Sequence, residues 1–130
     1  MSIAALNALV LTLTEEKSSM EYQRFLIDNR RTILSSRSAD IQTDRNIAYT
    51  NYLNNLNGQD DDDSTSVEAY NDAAFQVEFD EAQARLDAID KQLQTERTNL
   101  DTKIEEVTTS LENVQKQLNK NTESEFKGIQ

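Results

Sequence analysis

Two pairs of adjacent carboxylates, Glu15 with Glu16 and Glu105 with Glu106, and a run of four aspartates, Asp60 to Asp63, are the residues of this 130-residue chain whose type and spacing bear most directly on chemistry. Carboxylates act as an acid and base pair when they can share a proton. Neighbours on a helix diverge by about 100°, so neither glutamate pair meets that condition. The aspartate run raises a calcium loop, a pattern that needs glycine at its sixth position and a closing Glu at its twelfth. Counted from Asp60, those positions hold Thr65 and Asn71, so the expectation is a solvated, self-repelling turn that binds cations weakly at most. The chain has no His and no Cys, which removes the commonest general base, the strongest nucleophile, disulfides and thiolate metal sites. Its two glycines, Gly58 and Gly128, make no phosphate-cradling loop. A net charge of −11 opposes nucleic acid, whose binding rests on clustered Lys and Arg. The sequence therefore predicts a protein that is not an enzyme, with no cofactor, no metal and no nucleic-acid partner.

The elements that carry these residues read as helices. Proline is absent, and the 36% hydrophobic content falls below the roughly 45–50% usual for globular domains, which suits elongated helices better than a thick core. In the second half, Phe75, Phe79, Ala82, Leu86, Ile89, Leu93 and Leu100, then Ile104, Val107, Leu111, Val114 and Leu118, follow one another at spacings that alternate between four and three, with polar slots at Glu96, Lys103 and Asn121. The step from Leu100 to Ile104 reads as a four-residue stutter. In the first half Leu6, Leu13, Met20, Ile27, Leu34, Ile41 and Ala48 recur every seven residues, beside a companion row that starts apolar at Ile3 and Val10 and turns polar at Lys17, Arg24, Arg31, Ser38 and Arg45. Between the arms, Asn57 or Gly58 supplies a helix end, and Thr65 with Glu68 matches a capping box. The predicted fold is all-α, one domain over 1–130: a long antiparallel helical hairpin or coiled coil with a first arm over 1–57, an acidic turn over 58–65 and a second arm over 66–126. Its intrachain seam is predicted to include Leu34, Ile41, Leu86, Ile89, Leu93, Leu100, Ile104, Val107, Leu111, Val114 and Leu118. Arg24, Arg30, Arg31, Arg37 and Arg45 are expected to face Asp and Glu of the second arm.

Two features exceed what such a hairpin needs. Residues 1–14 carry no charge and are apolar almost all round as a helix. They lack the charged leader and cleavage site of a signal peptide and fall short of the roughly 20 apolar residues that span a bilayer. The facing stretch near Val114, Leu118 and Phe126 is thin, so this tip is expected to need cover from outside the hairpin. The first arm also carries a second apolar set, Tyr22, Phe25, Leu26, Ile33 and Ile47, on the side away from its seam. Ile3, Leu6, Leu9, Val10 and Leu13 are the predicted buried axis of an assembly, and Tyr22, Phe25, Leu26 and Ile33 its lateral contact.

An N-terminal and a C-terminal helix paired as a coiled coil, an apolar end and the lack of Cys and Trp resemble the helical filament subunits exported by flagellar or type III secretion machinery, such as flagellin. The opening LVLTLTEEKSSMEYQ and the close DKQLQTERTNLDTKIEEVTTSLENVQKQLNKNTESEFK are similar to those of short, uncharacterised helical bacterial proteins. The first resemblance implies a structural protein that self-assembles into a homo-oligomer or extracellular filament, with an export chaperone as a further partner and a route out of the cell that uses no signal peptide. Two alternatives stand beside it. One is a cytosolic coiled-coil chaperone or adaptor that holds a client at the apolar end. The other is a secreted protein that inserts its N-terminus into membranes, a reading that the acidity and the absence of Trp oppose.

Overall fold

The computed structural model describes residues 1–56 and 74–129. The expected turn over 58–65, the Asn57 and Gly58 helix end, the Asp60 to Asp63 run, the Thr65 and Glu68 capping box, residues 66–73 of the second arm and the side chain of Phe75 lie outside the described residues. Helix α1 spans Ile3–Leu56 and helix α2 spans Ala74–Ile129, so that every described residue except Met1 and Ser2 is helical. The two helices pack against each other as an all-α antiparallel hairpin. Ser2 caps α1: the amide of Ala5 donates to its Oγ at 3.1 Å, which satisfies one of the amide groups that a helix start leaves unpaired. The chain divides into two compact units, Met1–Asp28 with Gln94–Gln130, and Asn29–Leu93.

In the first unit, an inner row of α1 shielded from solvent runs through Ile3, Leu6, Val10, Leu13, Lys17, Met20, Arg24 and Ile27, spaced by three and four, with Leu9 and Asp28 half-buried beside it. The matching row of α2 is Arg97, Leu100, Ile104, Val107, Leu111, Val114, Leu118 and Asn121, spaced the same way, with Asp101 and Thr108 half-buried beside it. Leu6, Met20, Ile27 and Ile104 are the buried apolar residues here, and each such side chain withdrawn from water stabilises the pair by about 1.5–3 kcal/mol. Polar contacts fix the antiparallel alignment. Asn121 Nδ2 donates to the carbonyl of Met1 at 2.9 Å, and Arg24 Nη1 donates to Asp101 Oδ1 at 2.9 Å. Arg97 bridges two aspartates: its Nε donates to Asp28 Oδ1 at 2.7 Å and its Nη1 to Asp101 Oδ2 at 2.9 Å. The hydrogen bond to Asp28, then the charges of Asp101 and Asp28, raise the pKa of the Arg97 guanidinium above its ordinary value. An upward shift of a cation is a contribution complete below its ordinary range and lost only in strong base. At neutral pH this network therefore weakens through salt and not through loss of the arginine proton.

In the second unit, α1 turns Arg31, Leu34, Ser38, Ile41, Arg45 and Ala48 inward against Gln76, Phe79, Gln83, Leu86, Asp90 and Leu93 of α2. Leu34 and Leu93 are its buried apolar residues among those described. Arg31 Nε donates to Asp90 Oδ1 at 2.9 Å, Ser38 Oγ donates to Gln83 Oε1 at 3.0 Å, and Arg45 lies 3.5 Å from Asp80. Arg24, Arg31, Ser38 and Arg45 of the companion row in α1 thus each meet a polar or charged residue of α2, whereas Lys17 lies 4.0 Å from Glu21 of its own helix.

These contacts correct the sequence reading at Ile89, which is 46% exposed and not part of the seam. Asp90 takes that slot because its carboxylate answers Arg31, and Arg97 takes the slot expected for Glu96 because its guanidinium answers Asp28. With Asp90 and Arg97 in the row, the spacings from Phe79 through Leu86, Leu93 and Leu100 to Val107 continue in fours and threes, and no stutter is needed at Ile104. Of the five arginines expected to face α2, Arg24, Arg31 and Arg45 do so. Arg30 and Arg37 make no ion pair among the described residues.

A reciprocal exchange tests whether the companion row sets the register. Arg31→Asp is expected to lower the melting temperature by placing two aspartates together, and adding Asp90→Arg is expected to restore most of it. The partners are each about one-third exposed, so the coupling recovered in a double-mutant cycle is roughly 0.5–1 kcal/mol. A zero coupling would leave the apolar row as the sole source of register.

Candidate interaction surfaces

The helical repeat decides which side chains remain outside once the inner rows have met. In the first unit, Tyr22 is 62%, Phe25 57%, Leu26 37% and Leu11 61% exposed. Tyr22 and Leu26 are one helical turn apart and Phe25 lies beside both, so the three form a cluster on the side of α1 away from its buried row. Nothing in this cluster is charged, and its flanks carry Glu21, Arg30 and the amides of Gln23 and Asn29. In the second unit, Ile33 is 52% and Ile47 55% exposed on α1. All four residues expected to make a lateral contact, Tyr22, Phe25, Leu26 and Ile33, are therefore open to solvent.

The expected axis residues are placed differently. Leu6 is only 2% exposed, and Ile3, Leu9, Val10 and Leu13 are half-buried, all within the first unit. The bond from Asn121 to Met1 and the pair Arg24 with Asp101 set the alignment that brings the half-buried Leu111, Val114 and Leu118 to this end. The apolar opening is thus covered only in part: Leu6 is buried, but Ala4, Ala5, Ala8 and Leu11 are exposed, so α2 alone leaves much of this tip open, in line with the expectation. Leu6 belongs to the intrachain core, not to an outer contact. The large apolar side chains that stay open at this end are Leu11, Met1 at 75% and Phe126 at 64% exposed.

A second apolar surface is a groove in the second unit, about 430 Å³ in volume, where α1 and α2 lie side by side. Ile41, Ala82, Leu86 and Ile89 line it together with Arg37, Asp40, Asp44 and Arg85. Ile89 was missed as a surface residue because an apolar residue at a spacing of three from Leu86 passes for a seam position. Aligning the arms so that Arg31 and Arg24 meet Asp90 and Asp101 would have placed it outside.

The groups that could do chemistry are dispersed. Glu15, Glu16, Glu105 and Glu106 are all exposed. Hydroxyls of Thr12, Thr14, Thr98 and Thr108 donate to carbonyls four residues earlier in their own helices, at 2.7–3.0 Å. Among the described residues no three acidic side chains converge as metal ligands, and no helix is long and apolar enough to cross a membrane. The geometry thus offers apolar contact surfaces framed by charge. Comparison with protein families, with curated proteins and with solved structures gave no match.

Proposed function

We propose that this chain is a non-enzymatic structural subunit that self-associates through helical packing into a homo-oligomer or filament. The observation that supports the reading is the cluster of Tyr22, Phe25 and Leu26, left 37–62% exposed although the inner row of α1 already has its partner in α2. A monomer seldom leaves a contiguous apolar patch of large side chains in water, and such patches mark contacts with other surfaces. The net charge of −11 works against the approach of identical copies, so association is expected to strengthen with added salt that screens the repulsion.

Sedimentation velocity across a concentration series, at low and at moderate salt, tests the proposal. The expected result is a mass above that of one chain that grows with concentration and salt. Phe25→Asp with Leu26→Asp is expected to reduce association while leaving the helical circular dichroism intact, because both side chains already sit in solvent. Leu6→Asp is not a clean probe, since Leu6 is core and its loss would unfold the end it holds. A monomer at high micromolar concentration in every salt condition would end this reading.

An adaptor that holds a client at the apolar end is a second reading, supported by the exposure of Leu11 and Phe126 in the first unit. It differs in what purifies with the protein: a stoichiometric partner lost on Leu11→Asp with Phe126→Asp.

A further inference from the structure

We propose that the groove of the second unit is the pairing contact between two copies of this chain, laid two-fold symmetrically so that each covers the other's groove. The inference rests on the self-association reading and names the surface and the occupant.

The floor of the groove is apolar, formed by the half-buried Ile41, Ala82 and Leu86 and by Ile89, which is 46% exposed. A neighbouring helix from another molecule would remove these side chains from water, and α1 and α2 have no remaining segment among the described residues that does so. The rim identifies the occupant. Arg37, Asp40, Asp44 and Arg85 are all exposed, and none makes an ion pair among the described residues. That sets them apart from Arg24, Arg31, Arg45 and Arg97, each of which is paired with an aspartate. Two cations and two carboxylates make the rim neutral in a chain whose net charge is −11. Identical copies repel one another over most of their surfaces, and a neutral rim of both signs is where that repulsion vanishes.

A two-fold contact sets each patch against itself, so it requires a surface that is its own complement. This rim meets that requirement: Arg37 and Arg85 of one copy can face Asp40 and Asp44 of the other, and the reverse holds by symmetry. A strongly basic or strongly acidic partner would find only half its complement here. Ile33 and Ile47 sit seven residues before and after Asp40, hence on the outer side of α1 beyond the rim, and are not part of the groove floor. Such a contact gives a four-helix arrangement within the paired units, and a two-fold contact closes with two copies. Growth beyond a pair would use the separate cluster at Tyr22, Phe25 and Leu26.

Complementary charge variants test the proposal. One carries Arg37→Glu with Arg85→Glu, the other Asp40→Lys with Asp44→Lys. All four side chains are exposed, so both variants should keep the helical signal of the parent. Each alone is expected to pair at least roughly tenfold more weakly than the parent in sedimentation equilibrium, and an equimolar mixture to recover pairing. The lysine variant is the informative arm. It removes four units of net negative charge, so general repulsion alone would make it associate better than the parent, whereas a groove contact makes it associate worse. If it pairs as well as the parent, or if the mixture fails to recover while the parent associates, the groove is not the contact and self-association through another surface stands. A parent that stays monomeric at every concentration overturns both.

Discussion

Leu93→Asp is expected to abolish the folded hairpin at room temperature, seen as loss of the far-ultraviolet helical signal and of the cooperative thermal transition. Leu93 is 6% exposed, and among the described residues only five other apolar side chains are buried to a similar degree: Leu6, Met20, Ile27, Leu34 and Ile104. A core this thin has little in reserve. Removing the leucine forfeits about 2–5 kcal/mol of transfer and cavity energy, and a carboxylate in its place must either shed its charge or drag water into the interface. The total stability of a domain is about 5–15 kcal/mol, so the combined loss reaches the whole of it. Leu93→Met keeps volume and hydrophobicity and is expected to cost less than about 1.5 kcal/mol, which separates the effect of charge from that of sequence change. A Leu93→Asp protein that still melts cooperatively near the parent temperature would show that the row holding Leu93 is not what joins the helices.

The apolar row of α1 was legible in the sequence because it is regular: from Leu6 to Ala48 an apolar residue returns every seventh position, and every member from Leu6 to Leu34 is buried or half-buried. Without proline, nothing broke the helix that carries it. The second row was harder to read because its members are polar. Lys17, Arg24, Arg31, Ser38 and Arg45 looked like gaps in an apolar seam. They occupy it because Asp101, Asp90, Gln83 and Asp80 stand opposite at least four of them, information that lies in the other helix and not in local periodicity. The same non-local pairing moved Asp90 inward and turned Ile89 out. At the N-terminal end, an almost uncharged helix suggested surplus apolar surface, and Ala4, Ala5, Ala8 and Leu11 do stay exposed. Leu6 is the exception, nearly fully covered once α2 is aligned by Asn121 and Asp101. The outer residues Tyr22, Phe25, Leu26 and Ile33 could be read directly, because the repeat that assigns the inner row also assigns what is left outside.

The polar row serves alignment more than strength. An apolar row that repeats every seven residues fits its partner almost equally well when slid by seven, so the leucines alone do not choose a register. Sliding α2 by one heptad would take Asp90 from Arg31 and Asp28 from Arg97, leaving charges half-buried and unmatched. Exposed or half-exposed ion pairs contribute little to stability individually, yet several that must all be satisfied together discriminate between registers.

One polar residue of the inner face of α2 works against stability, and its replacement is expected to strengthen the hairpin. Gln76 is 4% exposed, and its Oε1 accepts no hydrogen bond among the described residues. Its Nε2 reaches Asp80 Oδ1 only at 3.5 Å, the outer limit of such a contact. A buried amide oxygen without a donor costs about 1–3 kcal/mol relative to its hydrated state, whereas a leucine of similar volume has no such group to desolvate. Gln76→Leu should therefore raise stability by roughly 1–2 kcal/mol, read as a melting temperature higher by about 2–8 °C in a chain of this size. Gln76→Glu, which puts a charge in the same buried place beside Asp80, should lower it. The pair of variants gives opposite signs only if the site is dry and lacks a donor. A loss of stability in Gln76→Leu would mean instead that the amide oxygen is satisfied and that this position belongs with Ser38 and Gln83 among the contacts that hold the register.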